Sequence, residues 1–299
     1  MRVILFGTGA MACLFGARLF QVADVTMVGT WADAIEAIKG RGILFDDAKK
    51  SYTIKVKVEC LGSAISPADL IIVLVKSWQT ARIAGYVSRY LNPEGVAITL
   101  QNGLGNLELL GPKAFPGTTA EGATLIGPGH IRAGGSGPTH VIAPDWVVQL
   151  LRSAGFESYR CSPDEAESLL WGKLCVSCGI NALTALLRIP NGELLTRPTA
   201  QDIMIRATME CVAVAQAKNI NLPFADPVNR VKEVACRTAV NKSSMLQDVL
   251  RNAPTECDAI NGAVAREGER LKVPTPVNTM LWQLVRAAVY QNRNKSELC

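Results

Sequence analysis

Lys173, Ser177 and Asn181 stand four residues apart in LLWGKLCVSCGINALTALL, the run over 169–187, which is otherwise apolar. At helical spacing the three share one face. A helix that is apolar nearly all round is a buried helix, and a buried lysine needs partners or a cavity to line. A polar stripe turned toward a cleft between two domains resolves that conflict. Lysine is also a cation whose pKa moves readily on burial, which suits a general acid. The plainer alternative is a lysine whose stem snorkels to the surface.

Three further positions join it. Glu256 follows Pro254 in the first turn of a helix expected over 254–271, where a carboxylate suits the dipole with or without another role. Ser243 and Ser244 open another helix, so capping and binding can be divided between them. Lys76 and Asn102 follow the apolar runs 70–75 (LIIVLV) and 96–100. Such runs read as strands buried on both faces of a parallel sheet. Ligands bind outside the carboxyl ends of those strands. The alternatives are a solvated loop lysine and a turn asparagine before Gly103.

These side chains need a scaffold, and the first nineteen residues announce it. Val3 to Phe6 is a short apolar strand, Gly7-Thr8-Gly9-Ala10-Met11-Ala12 a tight turn, and Cys13 to Leu19 an apolar helix. Strand, glycine turn and helix in that order make a dinucleotide-binding unit. Gly7 permits the turn, Gly9 lets the backbone approach a pyrophosphate, and Ala12 keeps helix and strand close. The pyrophosphate would sit on the free amides of the helix start. A tight turn without ligand is the competing reading.

Downstream, apolar strands alternate with helices to about residue 163, which implies a doubly wound sheet. Residues 43–45 and 52–58 read as short strands paired in a hairpin. From 164 to 299 the pattern is helical, with helices expected over 164–187, 198–218, 227–239, 243–250, 254–271 and 277–292. The fold class is therefore α/β: an N-terminal Rossmann-type doubly wound sheet over 1–163 and a C-terminal all-helical substrate and dimerisation domain over 164–299.

The chain has 299 residues, 48% hydrophobic and 19% charged, which allows two cored domains. The net charge of +5 comes from scattered lysines and arginines. It suits an anionic cofactor and substrate and outlines no nucleic-acid surface. No run reaches the ~18 consecutive apolar residues of a spanning segment, and no basic leader precedes the first strand. The reading is a cytoplasmic protein with no membrane or nucleic-acid partner. The nine cysteines read as reduced core thiols. Cys175-x-x-Cys178 lacks a second pair or a nearby histidine, so no metal is expected. His130 and His140, the two histidines, lie in a Gly/Pro-rich region, which argues against histidine catalysis.

Together these pieces resemble the ketopantoate reductase (2-dehydropantoate 2-reductase) family, nearly end to end. The segments are GTGAMA at 7–12, LVKSWQT at 74–80, LQNGLGN at 100–106, WGKL at 171–174, INALTAL at 180–186, NGELL at 191–195, SSMLQD at 243–248, TECDAINGAV at 255–264 and VPTPVN at 273–278. The resemblance implies NADPH-dependent reduction of a small 2-oxo acid, ketopantoate, to pantoate, toward pantothenate and coenzyme A. It implies Lys173 as the proton donor and Glu256 as the grip on the substrate's hydroxyl end. Asn102, Ser177, Asn181 and Ser244 would hold substrate. Gly7, Thr8, Gly9, Ala10, Met11, Ala12, Thr30, Lys76, Gln79 and Asn102 would hold NADP, with Asn102 where cofactor meets substrate.

Two positions depart from the family pattern. Ser177 stands where asparagine is usual, and serine offers one donor instead of two. At the end of the second strand, Gly29-Thr30-Trp31 carries neither the acid of an NAD enzyme nor the arginine usual at position 30. The missing acid favours NADP. Two other readings stay open: a paralogue reducing another 2-oxo acid, and an idle NADP-binding sensor, which would need neither Lys173 nor Glu256. The oligomeric state is not legible, and a homodimer is the assembly considered.

Overall fold

The computed structural model describes residues 1–47 and 50–290. Val3–Phe6 and Leu70–Val73 have at most 1% exposure. Strands this apolar need cover on both faces, and each lies between parallel neighbours. The strands are β1 (Arg2–Phe6), β2 (Asp24–Gly29), β3 (Ile43–Asp46), β4 (Ser51–Ile54), β5 (Lys57–Cys60), β6 (Ala68–Val73), β7 (Leu91–Thr99), β8 (Ala114–Thr119), β9 (Ala123–Gly127), β10 (His130–Ala133), β11 (Thr139–Val141) and β12 (Ser158–Arg160). The main sheet runs β12-β11-β8-β7-β6-β1-β2-β5, with only the β11–β8 pair antiparallel. The chain leaves β1 toward β2 on one side and returns to β6 on the other. The order therefore reverses between β1 and β6, the place where a doubly wound sheet opens a crevice.

The hairpin expected over 43–58 divides between two sheets. β3 and β4 pair antiparallel, and β3 also pairs with β10, in a second sheet ordered β4-β3-β10-β9. Residues 57–60 instead extend the main sheet beside β2. Local alternation identifies strands but not their partners, which tertiary pairing decides.

The helices are α1 (Ala10–Leu19), α2 (Ala32–Arg41), α3 (Thr80–Tyr90), α4 (Leu107–Leu110), α5 (Asp145–Ser153), α6 (Pro163–Leu187), α7 (Glu193–Thr196), α8 (Pro198–Ala217), α9 (Pro227–Arg237), α10 (Ser244–Leu250), α11 (Asn261–Leu271) and α12 (Pro276–Tyr290). Two compact units result. One comprises 1–101 and 106–166, the other 102–105 and the described residues from 167 onward. The short segment 102–105, read in the sequence as part of the first domain, thus belongs to the second unit.

In that unit α6 is the central helix. Ser162 and Glu165 form a reciprocal cap: Glu165 N–H donates to Ser162 Oγ (3.2 Å) and Ser162 N–H to Glu165 Oε2 (2.8 Å). Pro163 sits in the first turn, where its missing N–H costs nothing. The helix stops at Arg188, whose φ of 55° is left-handed, followed by Pro190. Trp171, Leu174, Cys175 and Cys178 of α6 pack with Met204, Ala207 and Cys211 of α8 and Val264 of α11. By length and composition alone α6 could cross a membrane, but most of its apolar stretch is buried inside the protein.

α11 is the largest departure from the periodicity. A helix is expected from 254, yet α11 begins at Asn261, and 254–260 is irregular. Ala259 N–H and Ile260 N–H both donate to the Glu256 carbonyl, at 3.0 and 3.1 Å. Glu256 therefore stands on a tight turn, not in a helical first turn.

Candidate functional site

The glycine turn of the first unit has the geometry its residue types suggest. Gly7 adopts φ +132°, which side chains resist, and its N–H donates to the Val28 carbonyl at 2.8 Å. A Cβ there would lie 3.1 Å from Ala12 Cβ, so the two small residues keep β1 and α1 close. Thr8 and Ala12 are buried, Ala10 and Met11 half-buried. Gly9 caps α1 with extended backbone and no side-chain cap, and a Cβ built on it meets nothing within 4 Å. The helix start is thus open, its first amides unclaimed by a side chain. That is the cradle a pyrophosphate requires.

Two loops beside the β1–β6 reversal complete this half. Lys76 is half-buried and leads into the short 3₁₀ turn Ser77–Gln79. Gln79 Nε2 donates to Thr30 Oγ1 at 3.5 Å, linking that turn to the end of β2. Sequence reasoning passed over the residues that hold these loops. Buried Gln101 donates from Nε2 to the Val75 carbonyl (2.9 Å) and to Thr80 Oγ1 (2.8 Å), and accepts at Oε1 from Thr99 (2.9 Å). Thr80 in turn donates to Asn106 Oδ1 at 2.9 Å. The available signal was a glutamine placed directly after the apolar run 96–100, where a buried amide must find partners.

The second unit gathers the remaining candidates. Lys173 is half-buried on α6. Burial pulls its ammonium down to about 8, and the Glu256 carboxylate pulls the other way. Glu256 is 4% exposed, and its Oε2 accepts from Asn102 Nδ2 at 3.3 Å. Lys173 and Asn102 lie 83 and 154 positions from Glu256 in the sequence, and a clamp brings Asn102 to it: Leu104 N–H donates to the Ala259 carbonyl at 2.9 Å. Gly103, at φ +79°, allows it: a Cβ would stand 2.2 Å from Ala259 O.

Ser177 and Asn181 are half-buried along the same helix face as Lys173. The two serines divide their work. Ser243 Oγ is buried, accepts from Leu246 N–H (3.1 Å) and lies 2.7 Å from Thr184 Oγ1. It is the cap of α10. Ser244 is half-buried at the first position of that helix. The side chains of Ser177, Asn181 and Ser244 hydrogen-bond nothing among the described residues, so all three are available to a ligand.

Other candidates are spent elsewhere. His130 Nε2 lies 2.8 Å from Asp46 Oδ2, and His140 stacks on Tyr159, both within the first unit. Cys175 and Cys178 are fully buried, and Cys175 Sγ is 3.3 Å from Cys211 Sγ. The Cys211 hydrogen bond and burial push the Cys175 thiol up, which makes it a core group. Cys299 lies outside the described residues.

Residues 3–145 match the family model "Ketopantoate reductase PanE/ApbA", and residues 165–289 match "Ketopantoate reductase PanE/ApbA C terminal". A 2-dehydropantoate 2-reductase of Halobacterium salinarum is 34% identical over 305 residues, which span 96% of this chain and 99% of that protein. Among solved structures, a PanE/ApbA family ketopantoate reductase from Ralstonia eutropha JMP134 superposes with a TM-score of 0.90 at 28% identity, over 98% of this chain and 100% of that one. A D-mandelate dehydrogenase solved with NADH and anilino(oxo)acetate gives 0.91 at 25% identity, over 98% and 99%.

Proposed function

The chain belongs to the ketopantoate reductase family and reduces 2-dehydropantoate to pantoate with a nicotinamide cofactor; from that premise we propose NADPH as the cofactor and assign the roles of the site residues. The bound nicotinamide supplies a hydride to the C2 carbonyl carbon. As that bond forms, the carbonyl electron pair moves onto oxygen, which needs a cation and then a proton. Lys173 provides both. Its ammonium, held at about 8, stays largely charged at neutral pH yet gives up a proton more readily than an exposed lysine.

Glu256 accepts a hydrogen bond from the substrate's hydroxyl end, and Asn102, donating to Oε2, orients the carboxylate for it. Asn181 and Ser177 line the same helix face, Ser177 with one donor where the family usually has an amide. Ser244 takes the substrate carboxylate, left free to do so because Ser243 carries the cap. The open helix start at Gly9 would take the pyrophosphate. Thr30, Gln79 and Lys76 would hold the rest of the cofactor. With no acid at the end of β2, nothing there repels a 2′-phosphate.

The observation that carries these roles is the buried Glu256 carboxylate beside Lys173, held by Asn102. An idle binding protein has no use for that pair. Ser177 favours a second reading, a relative acting on another 2-oxo acid. A panel of 2-oxo acids followed by NADPH oxidation tests both. Highest kcat/KM for ketopantoate supports the assignment, and preference for an acid without the hydroxyl overturns it.

A further inference from the structure

Glu256 stands on a turn outside helix and strand, yet its carboxylate must stay beside Lys173. Something outside the turn must hold it. The helix that follows, α11, begins at Asn261 without a side-chain cap at Ile260. Asn261 is fully buried. Its Nδ2 donates to the Cys178 carbonyl of α6 at 3.3 Å and to Asn278 Oδ1 at 2.9 Å. Asn278, also fully buried, donates from Nδ2 to the Ala207 carbonyl and to Glu210 Oε2, each at 2.9 Å. Glu210 in turn accepts the N–H groups of Val277 and Asn278 at 2.8 Å. Asn261 thereby ties the start of α11 to α6 and α12, and through Asn278 to α8.

The tie lands at a functionally pointed place. Cys178 is the residue after Ser177 and lies five residues, about 7.5 Å of helix rise, from Lys173. At the other end Asn261 is five residues beyond Glu256. A packing role would be served better by an apolar side chain, because no group among the described residues hydrogen-bonds Asn261 Oδ1. A buried amide kept at a cost in stability specifies position, fixing which carbonyl the turn docks against.

We propose that Asn261 is a positioning residue for the reduction, holding the Glu256-bearing turn in register against α6 so that the carboxylate stays with Lys173 and Asn102. This rests on the role given to Glu256 above. It differs from the Gly103–Ala259 contact, which sets how closely Asn102 approaches the turn but not where the turn sits along α6.

A double-mutant cycle tests it, with KM for ketopantoate as the readout in the full chain. Asn261→Ala should raise KM about tenfold in the wild-type background, in the range of coupled contacting sites, and by less than about twofold in Glu256→Ala. A residue with only a structural role would give the same factor in both backgrounds, and that result overturns the proposal. Asn261→Ala at wild-type KM also overturns it. Glu256→Ala at wild-type KM instead overturns the role of Glu256, and the proposal with it, so the two failures are distinguishable. If Asn261→Ala does not fold, Asn261→Ser keeps a donor of shorter reach and should show the same non-additivity with a smaller factor.

Discussion

The charge on Lys173 is open to a direct test through Glu256. Burial lowers the lysine to about 8 and the neighbouring carboxylate opposes that shift. The proton donor is the ammonium, so activity belongs to the low-pH side and is lost as pH rises through that value. With a value of about 8, roughly nine-tenths of Lys173 is charged at pH 7 and roughly one-tenth at pH 9. The pH dependence of kcat/KM reports the free enzyme, and it should fall about tenfold across that interval. Glu256→Gln keeps the shape and removes the charge. With the opposing carboxylate gone, burial acts alone, and the falling limb must move to lower pH. The assay is initial-rate NADPH oxidation at subsaturating ketopantoate, each profile normalised to its own plateau, so that weaker binding by the variant does not enter. A wild-type profile level to pH 9.5, or a limb that Glu256→Gln leaves in place or moves upward, refutes the assignment of Lys173 as the acid.

Three further outcomes are expected. Lys173→Ala should lower kcat by ~10²–10⁴-fold with cofactor affinity unchanged in calorimetry, and Lys173→Arg should not restore it, because a guanidinium does not release its proton at working pH. Gly9→Val should fold with only a small drop in melting temperature, since its side chain enters open space and only the cap is weakened, yet lose cofactor binding; in the wild type, calorimetry should show tighter binding of NADPH than of NADH. Gly103→Ala should destabilise the protein by at least about 2 kcal/mol, because it combines left-handed backbone with a collision at the Ala259 carbonyl, and should raise KM as Asn102 and Glu256 separate. Chemical denaturation and steady-state kinetics measure the pair.

What could be read from the sequence was whatever local geometry determines. The glycine turn is local: one residue needs φ +132°, one must leave space, and one must be small, all within residues 7–12. The buried strands announce themselves because cover on both faces demands unbroken apolar runs. The stripe of Lys173, Ser177 and Asn181 follows from helical period alone, and the Ser162–Glu165 cap starts the helix that carries it. The partners lay beyond this kind of reading. Whether residues 52–58 form one strand or serve two sheets depends on what each end can pair with, and β2 and β3 offer different edges. Proline and an acid at 254–256 look like a helix start, but the N–H groups of Ala259 and Ile260 close a turn on the Glu256 carbonyl, and Leu104 docks on that turn. That docking moves Asn102 into the second unit and brings Glu256 to a lysine 83 positions earlier in the chain. Side-chain types limit which chemistry is available; long-range hydrogen bonds, made only when the chain is packed, decide which of those side chains share a site.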